Sequence, residues 1–190
     1  MVVPPRHGQL FKHGREGIFP VMREVARLLS DMLSAGVISE YAVFGAVAQM
    51  RYTEAVSTMD ADILVAIPGG PSLDLLRPIY EYCTSRGFPV EGESIRVGAW
   101  PVQFIPAFSP LTEEAMHEAA VAEIEGEMIR VVRADHLAVI ALSVGRLRDH
   151  VRILSLLDAG SVDAKKVGEL AARHGLSAEW RRFQSRFLER

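Results

Sequence analysis

The chain has 190 residues, of which 49% are hydrophobic, enough for one well-buried core or for one domain with a helical annex. Its net charge of -3 creates no strong field for nucleic acid or an acidic membrane, and its single cysteine, Cys83, excludes an intramolecular disulfide. The N-terminus lacks the apolar core of a signal peptide, and no apolar run approaches the roughly 20 residues that cross a bilayer. A soluble, cytoplasmic protein is therefore expected.

Residues 1–16 are rich in Pro, Gly, His and Arg, which predicts a flexible N-terminus. Apolar residues then recur at helical spacing, and Gly36 is suited to ending that helix. The run EYAVFG predicts a short strand that leads through Gly45 into one or two turns of helix. The following run, ADILVAIP, is apolar and β-branched, which predicts a strand buried on both faces.

The middle of the chain continues to mix helices with strands. A helix that ends at Gly87 contains Pro78, which should break or kink it. The runs SIRVGA and PVQFIP are predicted as neighbouring strands joined by a tight turn at Gly98. Ser109 is a helix cap, and the later segment around Gly126 alternates like a hairpin.

From Ala134 onward the sequence changes character and is predicted to be all helical. The fold class is therefore predicted as α/β (α+β). A small mixed β-sheet core with helices should span residues 17–133, and a C-terminal helical bundle packed on it should span residues 134–190.

Two carboxylates stand at the mouth of the buried strand. Residues two apart in a strand point the same way, so Asp60 and Asp62 should share a face, with Cβ atoms ~7 Å apart. Two acids this close repel unless a cation lies between them, and Mg²⁺ favours one or two carboxylates together with water and substrate phosphates. The alternative is a pair of solvated acids, which the short D-x-D pattern would favour if it stood alone.

The glycine upstream of the acids changes that balance. Gly45 ends one strand and opens a helix, where a phosphate can approach backbone N–H groups. A glycine turn, a helix and a strand bearing Asp60 and Asp62 follow one another closely. This order predicts a nucleoside triphosphate site, with phosphates at the glycine turn and metal at the acids.

The arrangement resembles the nucleotidyltransferase superfamily of the polymerase-β type, and within it the small AbiEii-like, toxin-related branch of minimal nucleotidyltransferases. Gly45-Ala46 followed by YTEAVSTMDADILV carries the first motif, and GRLRD, from Gly145 to Asp149, matches a second. The likeness spans residues 40–158. It implies an enzyme that uses Mg²⁺ or Mn²⁺ to move a nucleoside monophosphate from a nucleoside triphosphate to an acceptor hydroxyl.

The resemblance also implies roles for individual residues. Asp60 and Asp62 would hold the metal and act in catalysis together with whatever occupies the third position of the cluster. The triphosphate would be bound by four residues: Gly45, Ala46, Arg51 and Arg148. Many relatives have serine in place of Ala46, so only backbone N–H donors remain at this position. Many also have lysine in place of Arg148, so a planar guanidinium replaces an ammonium group.

The third position of the catalytic cluster departs most from the family pattern. Active relatives carry an acid there, whereas this chain has Gln103 in PVQFIP. A glutamine oxygen can contact a metal weakly but cannot accept a proton, and general-base catalysis is typically worth 10²- to 10⁴-fold. Glu91 and Glu93, which precede the neighbouring strand, are the acids that could substitute for it.

Two functions remain open from the sequence. The first is a Mg²⁺-dependent nucleotidyltransferase acting on a protein or RNA acceptor, and the intact Asp60–Asp62 pair favours it. The second is a catalytically degenerate member of the fold that binds nucleotide or a protein partner, such as an antitoxin in a toxin–antitoxin pair, and Gln103 favours it. The sequence names neither the nucleotide nor the acceptor.

Overall fold

The computed structural model describes residues 19–54, 58, 60–69, 74–98, 100–124 and 126–189. The N-terminal segment 1–16, predicted to be flexible, lies outside these ranges. The helices are α1 (Phe19–Ser34), α2 (Gly45–Gln49), α3 (Arg77–Ser85), α4 (Pro110–His117), α5 (Ala134–Val144), α6 (Leu147–Asp158), α7 (Ala164–Arg173) and α8 (Ser177–Phe187). The strands are β1 (Glu40–Val43), β2 (Ala61–Ala66), β3 (Val90–Glu91), β4 (Ser94–Val97), β5 (Trp100–Pro106), β6 (Ala120–Ile124) and β7 (Glu127–Val131).

The strands form one mixed sheet of seven in the order β3-β4-β5-β2-β1-β7-β6. β2 runs antiparallel to β1 and parallel to β5, and β1 runs parallel to β7. The carboxyl ends of β1 and β7 therefore lie at the same sheet edge as the amino ends of β2 and β5. This edge is where the glycine turn after β1 meets the acids before and within β2.

The helices cover the sheet and confirm the predicted α/β fold class. α1 packs on β4, β6 and β7, and α4 packs on β1, β2 and α5. The β4–β5 turn at Gly98, the β6–β7 hairpin and the Ser109 cap of α4 are all present as predicted. No helix in the described part of the chain combines the length and hydropathy that a bilayer crossing requires.

One local prediction differs from the structure, and one short strand was not predicted. Pro78 does not interrupt a longer helix, because α3 begins at Arg77 and places the proline in its first turn, where a missing N–H leaves no hydrogen bond unmade. The short strand β3 was not predicted, since two residues carry too little pattern to be recognised. Cys83 lies buried in α3 as expected, and burial raises the pKa of its thiol to about 11.

The C-terminal helices are organised around α5, which contacts α6, α7 and α8. α8 is anchored by Trp180, whose indole lies so close to Gly168 of α7 that a Cβ there would approach Nε1 to 2.8 Å. The Trp180 ring stacks on the buried ring of Phe183 at 5.4 Å between centroids. The division of the chain at residue 134 stays a prediction.

Phe183→Ala is expected to lower the free energy of unfolding by roughly 3–5 kcal/mol, because a large buried ring is replaced by a cavity between α8 and its neighbours. Urea unfolding followed by circular dichroism measures this. Val121→Ala, on an exposed position of β6, is the control and should cost less than about 1 kcal/mol. Equal losses in the two variants would show that α8 is not anchored through Phe183.

Candidate active site

The turn between β1 and α2 is in direct contact with the start of β2. Gly45 has a φ of 64°, in the left-handed region that favours glycine. A Cβ added at Gly45 would lie 2.1 Å from Oδ2 of Asp62. The backbone N–H of Phe44 also donates a hydrogen bond to the carbonyl oxygen of Asp62 at 2.8 Å. The predicted phosphate-binding turn and a predicted metal ligand are therefore in direct contact.

Asp60 and Asp62 lie at the start of β2 in different environments. That their side chains share a face stays a prediction, because Asp60 precedes the strand. Asp60 is exposed and precedes β2, and the Thr58 hydroxyl lies 3.1 Å from its carboxylate. Asp62 is partly buried within β2. Burial and the charge of Asp60 raise the pKa of Asp62, although the guanidinium groups of Arg152 and Arg148 act in the opposite direction. Burial is the largest cause of this rise, so the ionised form of Asp62 is disfavoured in the folded protein.

Gln103 occupies the position next to Asp62 on the adjacent strand. The two residues are paired in the parallel register of β2 and β5, so their side chains leave the same face of the sheet, with the strands ~4.8 Å apart. The predicted placement of Gln103 beside the acids is therefore seen in the fold. Its metal and catalytic roles, like those of Asp60 and Asp62, stay predictions.

An acid does lie beside Gln103, in the turn between β3 and β4. Oε2 of Glu93 is 3.5 Å from Nε2 of Gln103. The Tyr80 hydroxyl donates to the carbonyl oxygen of Glu93 at 3.0 Å, which helps to position this turn. Glu91, the other acid considered from the sequence, instead forms an ion pair with Arg96. Of the two, only Glu93 reaches Gln103.

Helix α6 supplies the positive charge that faces Asp62. Arg148 is exposed, whereas Arg152 is partly buried, and its Nε donates to Oε1 of the buried Gln49 at 3.0 Å. Arg152 was not singled out from the sequence. Its position one helical turn after Arg148 was the available signal, because residues four apart share a helix face.

The GRLRD segment shapes the beginning of α6. Gly145 ends α5 with a φ of 70°, and the carboxylate of the buried Asp149 accepts hydrogen bonds from the backbone N–H and the Nε of Arg146 at 3.1 and 2.8 Å. Burial opposes ionisation of Asp149, but the hydrogen bonds from Arg146 outweigh it and hold the pKa of Asp149 below its usual value. Asp149 thus starts the helix that carries Arg148 and Arg152.

The remaining two predicted triphosphate ligands lie on α2 and beyond it. Ala46 follows Gly45 in the first turn of α2 and is partly buried. Arg51 lies after the helix, and it lines a cavity of about 560 Å³ together with Tyr52, Arg133 and Lys166. The roles of Ala46 and Arg51 in triphosphate binding stay predictions.

Gly45→Ala is expected to cost several kcal/mol of folding free energy or to displace the Asp62 carboxylate, because the new methyl group and Oδ2 cannot occupy the same space. Gly36→Ala is a matched control: its φ is 68° but no atom lies within 4 Å of the added Cβ, so it should show only the left-handed strain of roughly 1–2 kcal/mol. Denaturant unfolding measures both.

The double variant Gly45→Ala/Asp62→Ala isolates the contact. Removing the Asp62 side chain should relieve the clash and reduce the cost of Gly45→Ala to that of Gly36→Ala. If Gly45→Ala costs the same in both backgrounds, the contact between Gly45 and Asp62 is not what requires glycine.

Comparison with known proteins identifies the fold. No protein-family model matches the chain, and no curated protein matches it. Among solved structures, the solution structure of the antibiotic-resistance factor ANT(2'')-Ia is similar, with 15% identity, a TM-score of 0.51 and coverage of 88% of this chain and 97% of that chain.

Two further structures give the same result. ANT(2'')-Ia in complex with adenylyl-2''-tobramycin shares 18% identity at a TM-score of 0.50, over 88% of this chain and 98% of that one. An antigenic nucleotidyltransferase-like protein from Paracoccidioides brasiliensis shares 12% identity at a TM-score of 0.51, over 85% of this chain and 93% of that one. The chain therefore has the fold of these nucleotidyltransferases, while its place in the AbiEii-like branch stays a hypothesis.

Proposed function

We propose that this protein is a nucleotidyltransferase that moves a nucleoside monophosphate from a nucleoside triphosphate to an acceptor hydroxyl with the help of Mg²⁺. The contact between Gly45 and Asp62 carries the proposal, because it joins an open backbone turn to a carboxylate pair at one sheet edge. The nucleotidyltransferase fold of similar structures supports it.

The acids fit a divalent cation. Asp60 and Asp62 would hold it, and a bound cation would stabilise the ionised form of Asp62, whose pKa is raised by burial and by the charge of Asp60. Mn²⁺ accepts the same oxygen ligands as Mg²⁺. A bound ion of this kind supplies charge stabilisation to the reacting phosphoryl group and orients it for in-line displacement.

The chain itself supplies binding and orientation. Because Gly45 has no side chain, the Asp62 carboxylate can lie against it, and phosphate oxygens would approach the backbone N–H groups at the start of α2. Arg152, held by Gln49, and Arg148, free to follow the ligand, would neutralise phosphate charge on the side opposite the acids. The contact of Asp62 with Gly45 would hold the metal-binding carboxylate at a fixed position relative to the turn that binds the phosphates.

Glu93 is the group we assign to accept the proton of the acceptor hydroxyl. The acceptor oxygen then forms a bond to the α-phosphorus, and the bond from that phosphorus to the bridging oxygen of the leaving diphosphate breaks. Because a carboxylate only accepts hydrogen bonds, the amide nitrogen of Gln103 faces Glu93 and leaves the amide oxygen as a neutral ligand for the cation. Gln103 would provide the metal ligand and Glu93 the base, two roles that a single third acid has in active relatives.

A second candidate function is a degenerate member of the fold that binds nucleotide or a protein partner, such as an antitoxin, without turnover. The neutral Gln103 favours it, since the metal cluster lacks one negative charge. The two functions differ in whether bound triphosphate is consumed.

Asp62→Asn is expected to weaken Mg²⁺-dependent triphosphate binding and to reduce transfer by roughly 10³-fold or more, because a metal ligand worth several kcal/mol of charge stabilisation is lost. Calorimetry with Mg²⁺ and each triphosphate, and transfer of labelled nucleotide to RNA, protein and tobramycin, measure these effects. Tobramycin is included because a similar structure holds its adenylylated form. Asp158→Asn, exposed at the end of α6, is the control and should change neither.

Asp62→Asn should be more stable than the wild type when metal is absent. A raised pKa means that the folded state takes up a proton at Asp62 more readily than the unfolded state, so ionised Asp62 destabilises the fold. The gain should be present above the raised pKa and should vanish as the pH falls toward the ordinary value of 3.8. A loss of stability at neutral pH would contradict the raised pKa of Asp62.

Glu93→Gln should lower the transfer rate by about 10²- to 10⁴-fold, the usual range for a general base. Glu91→Gln is the control, because it breaks only an exposed ion pair with Arg96. Gln103→Asp should tighten Mg²⁺ binding, restore transfer in the Glu93→Gln background by a similar factor, and cost stability without metal.

Two results would overturn this division of roles. Full activity in Glu93→Gln would show that Glu93 is not the base. No transfer by any variant, together with no calorimetric binding of any triphosphate, would favour the non-enzymatic candidate.

A further inference from the structure

A second group of ligand-type side chains is formed by α4 and α5 rather than by β2. One carboxylate oxygen each of Glu114 and Glu118 and one ring nitrogen of His136 all lie within 4.8 Å of one another. His136 is only 1% exposed, whereas Glu114 is partly buried and Glu118 is exposed. The cluster therefore has a buried imidazole at its base and opens toward solvent at Glu118.

The buried imidazole is placed between two carboxylates. Nδ1 of His136 lies 3.3 Å from Oδ1 of Asp135, and Nε2 lies 3.4 Å from Oε1 of Glu114. Because carboxylates only accept hydrogen bonds, an imidazole that donates through Nδ1 to Asp135 presents the lone pair of Nε2 to Glu114, unless the ring carries a second proton. A cation between Nε2 and the glutamates resolves this opposition. Metal-bound histidines are commonly held by a carboxylate in the way that Asp135 holds His136.

The Glu114 carboxylate also contacts two residues at the end of α7. Its Oε2 accepts a hydrogen bond from Nε2 of His174 at 2.8 Å, next to the end of α7. Its Oε1 contacts Nη1 of Arg173 at 2.6 Å, and this arginine side chain is 59% exposed. An exposed ion pair contributes little, so Arg173 can swing into solvent when a cation takes its place.

Glu118 distinguishes a metal site from an ordinary network of ion pairs. Among the described residues, no hydrogen bond or ion pair involves its side chain, so the network through Glu114 is complete without it. One of its carboxylate oxygens nevertheless lies within 4.8 Å of the ligand atoms of Glu114 and His136, which is close enough for one ion to contact all three residues.

We propose that Glu114, Glu118 and His136 bind one transition-metal cation of the Zn²⁺ type, with water completing the coordination. A mixed set of one imidazole and two carboxylates suits Zn²⁺, whereas Mg²⁺ prefers oxygen ligands alone. The ion clamps α4 to α5 and, through the contact of Glu114 with His174, to the end of α7. The site is separate from the acids of β2 and does not depend on nucleotidyl transfer.

The experiment titrates Zn²⁺ into the full-length, chelator-treated protein by calorimetry, with thermal unfolding in parallel. The wild type should bind Zn²⁺, and a concentration of 100 times Kd should raise Tm by roughly 5–10 °C. Asp62→Asn should retain this binding, which separates the site from the proposed active site. Co²⁺ in place of Zn²⁺ should give visible absorption typical of four-coordinate binding.

Three variants separate a metal site from an ion-pair network. Glu118→Gln should weaken Zn²⁺ binding at least about 10-fold with little effect on Tm without metal. The matched change Glu113→Gln, at an exposed residue in the first turn of α4, should have no effect. Arg173→Gln should strengthen Zn²⁺ binding, because it removes the cation that competes for Glu114.

The proposal fails if the wild type binds no Zn²⁺, or if Glu118→Gln binds it as tightly as the wild type does. It also fails if Arg173→Gln weakens binding. In each of these cases the cluster is a network of hydrogen bonds and ion pairs alone.

Discussion

The candidate site depends on the approach of the Gly45 backbone to the Asp62 carboxylate. A side chain at position 45 would overlap Oδ2 of Asp62, and the positive φ of this residue adds a second reason for glycine. The contact exists because β1 and β2 are antiparallel neighbours, so that the turn leaving β1 passes over the residue entering β2. One steric constraint thus holds an open backbone turn beside a charged group.

Electrostatic strain is the second property of this edge. Asp62 is partly buried beside Asp60, and two arginines of α6 only partly offset the resulting rise in its pKa. Such an arrangement is unfavourable to the fold by itself and favourable to a site that takes up a cation, in keeping with the general tendency of functional sites to carry perturbed ionisable groups. The cost is met by the surrounding core, including β2 residues that are almost entirely buried.

The C-terminal helices contribute to the site through α6. The hydrogen bonds of Asp149 to Arg146 begin the helix, and the bond from Arg152 to Gln49 ties it to α2, which also carries Gly45. Gln49 is buried, so its amide oxygen needs a donor, and Arg152 supplies one. The helix that carries Arg148 and Arg152 is therefore coupled to the glycine turn by a hydrogen bond between elements far apart in sequence.

The sequence by itself determined the mixed fold class and most helices and strands, and it singled out Asp60 and Asp62 as candidate metal ligands, because hydrophobic periodicity, turn glycines and the spacing of the two acids are local properties of the chain. The tertiary structure decided which distant residues meet. The register of β2 against β5 brings Gln103 to Asp62, and the turn before β4 brings Glu93 rather than Glu91 to Gln103. Helix packing likewise brings Arg152 of α6 to Gln49 of α2. Strand register and helix packing are set by the burial of the whole core, which no short pattern contains.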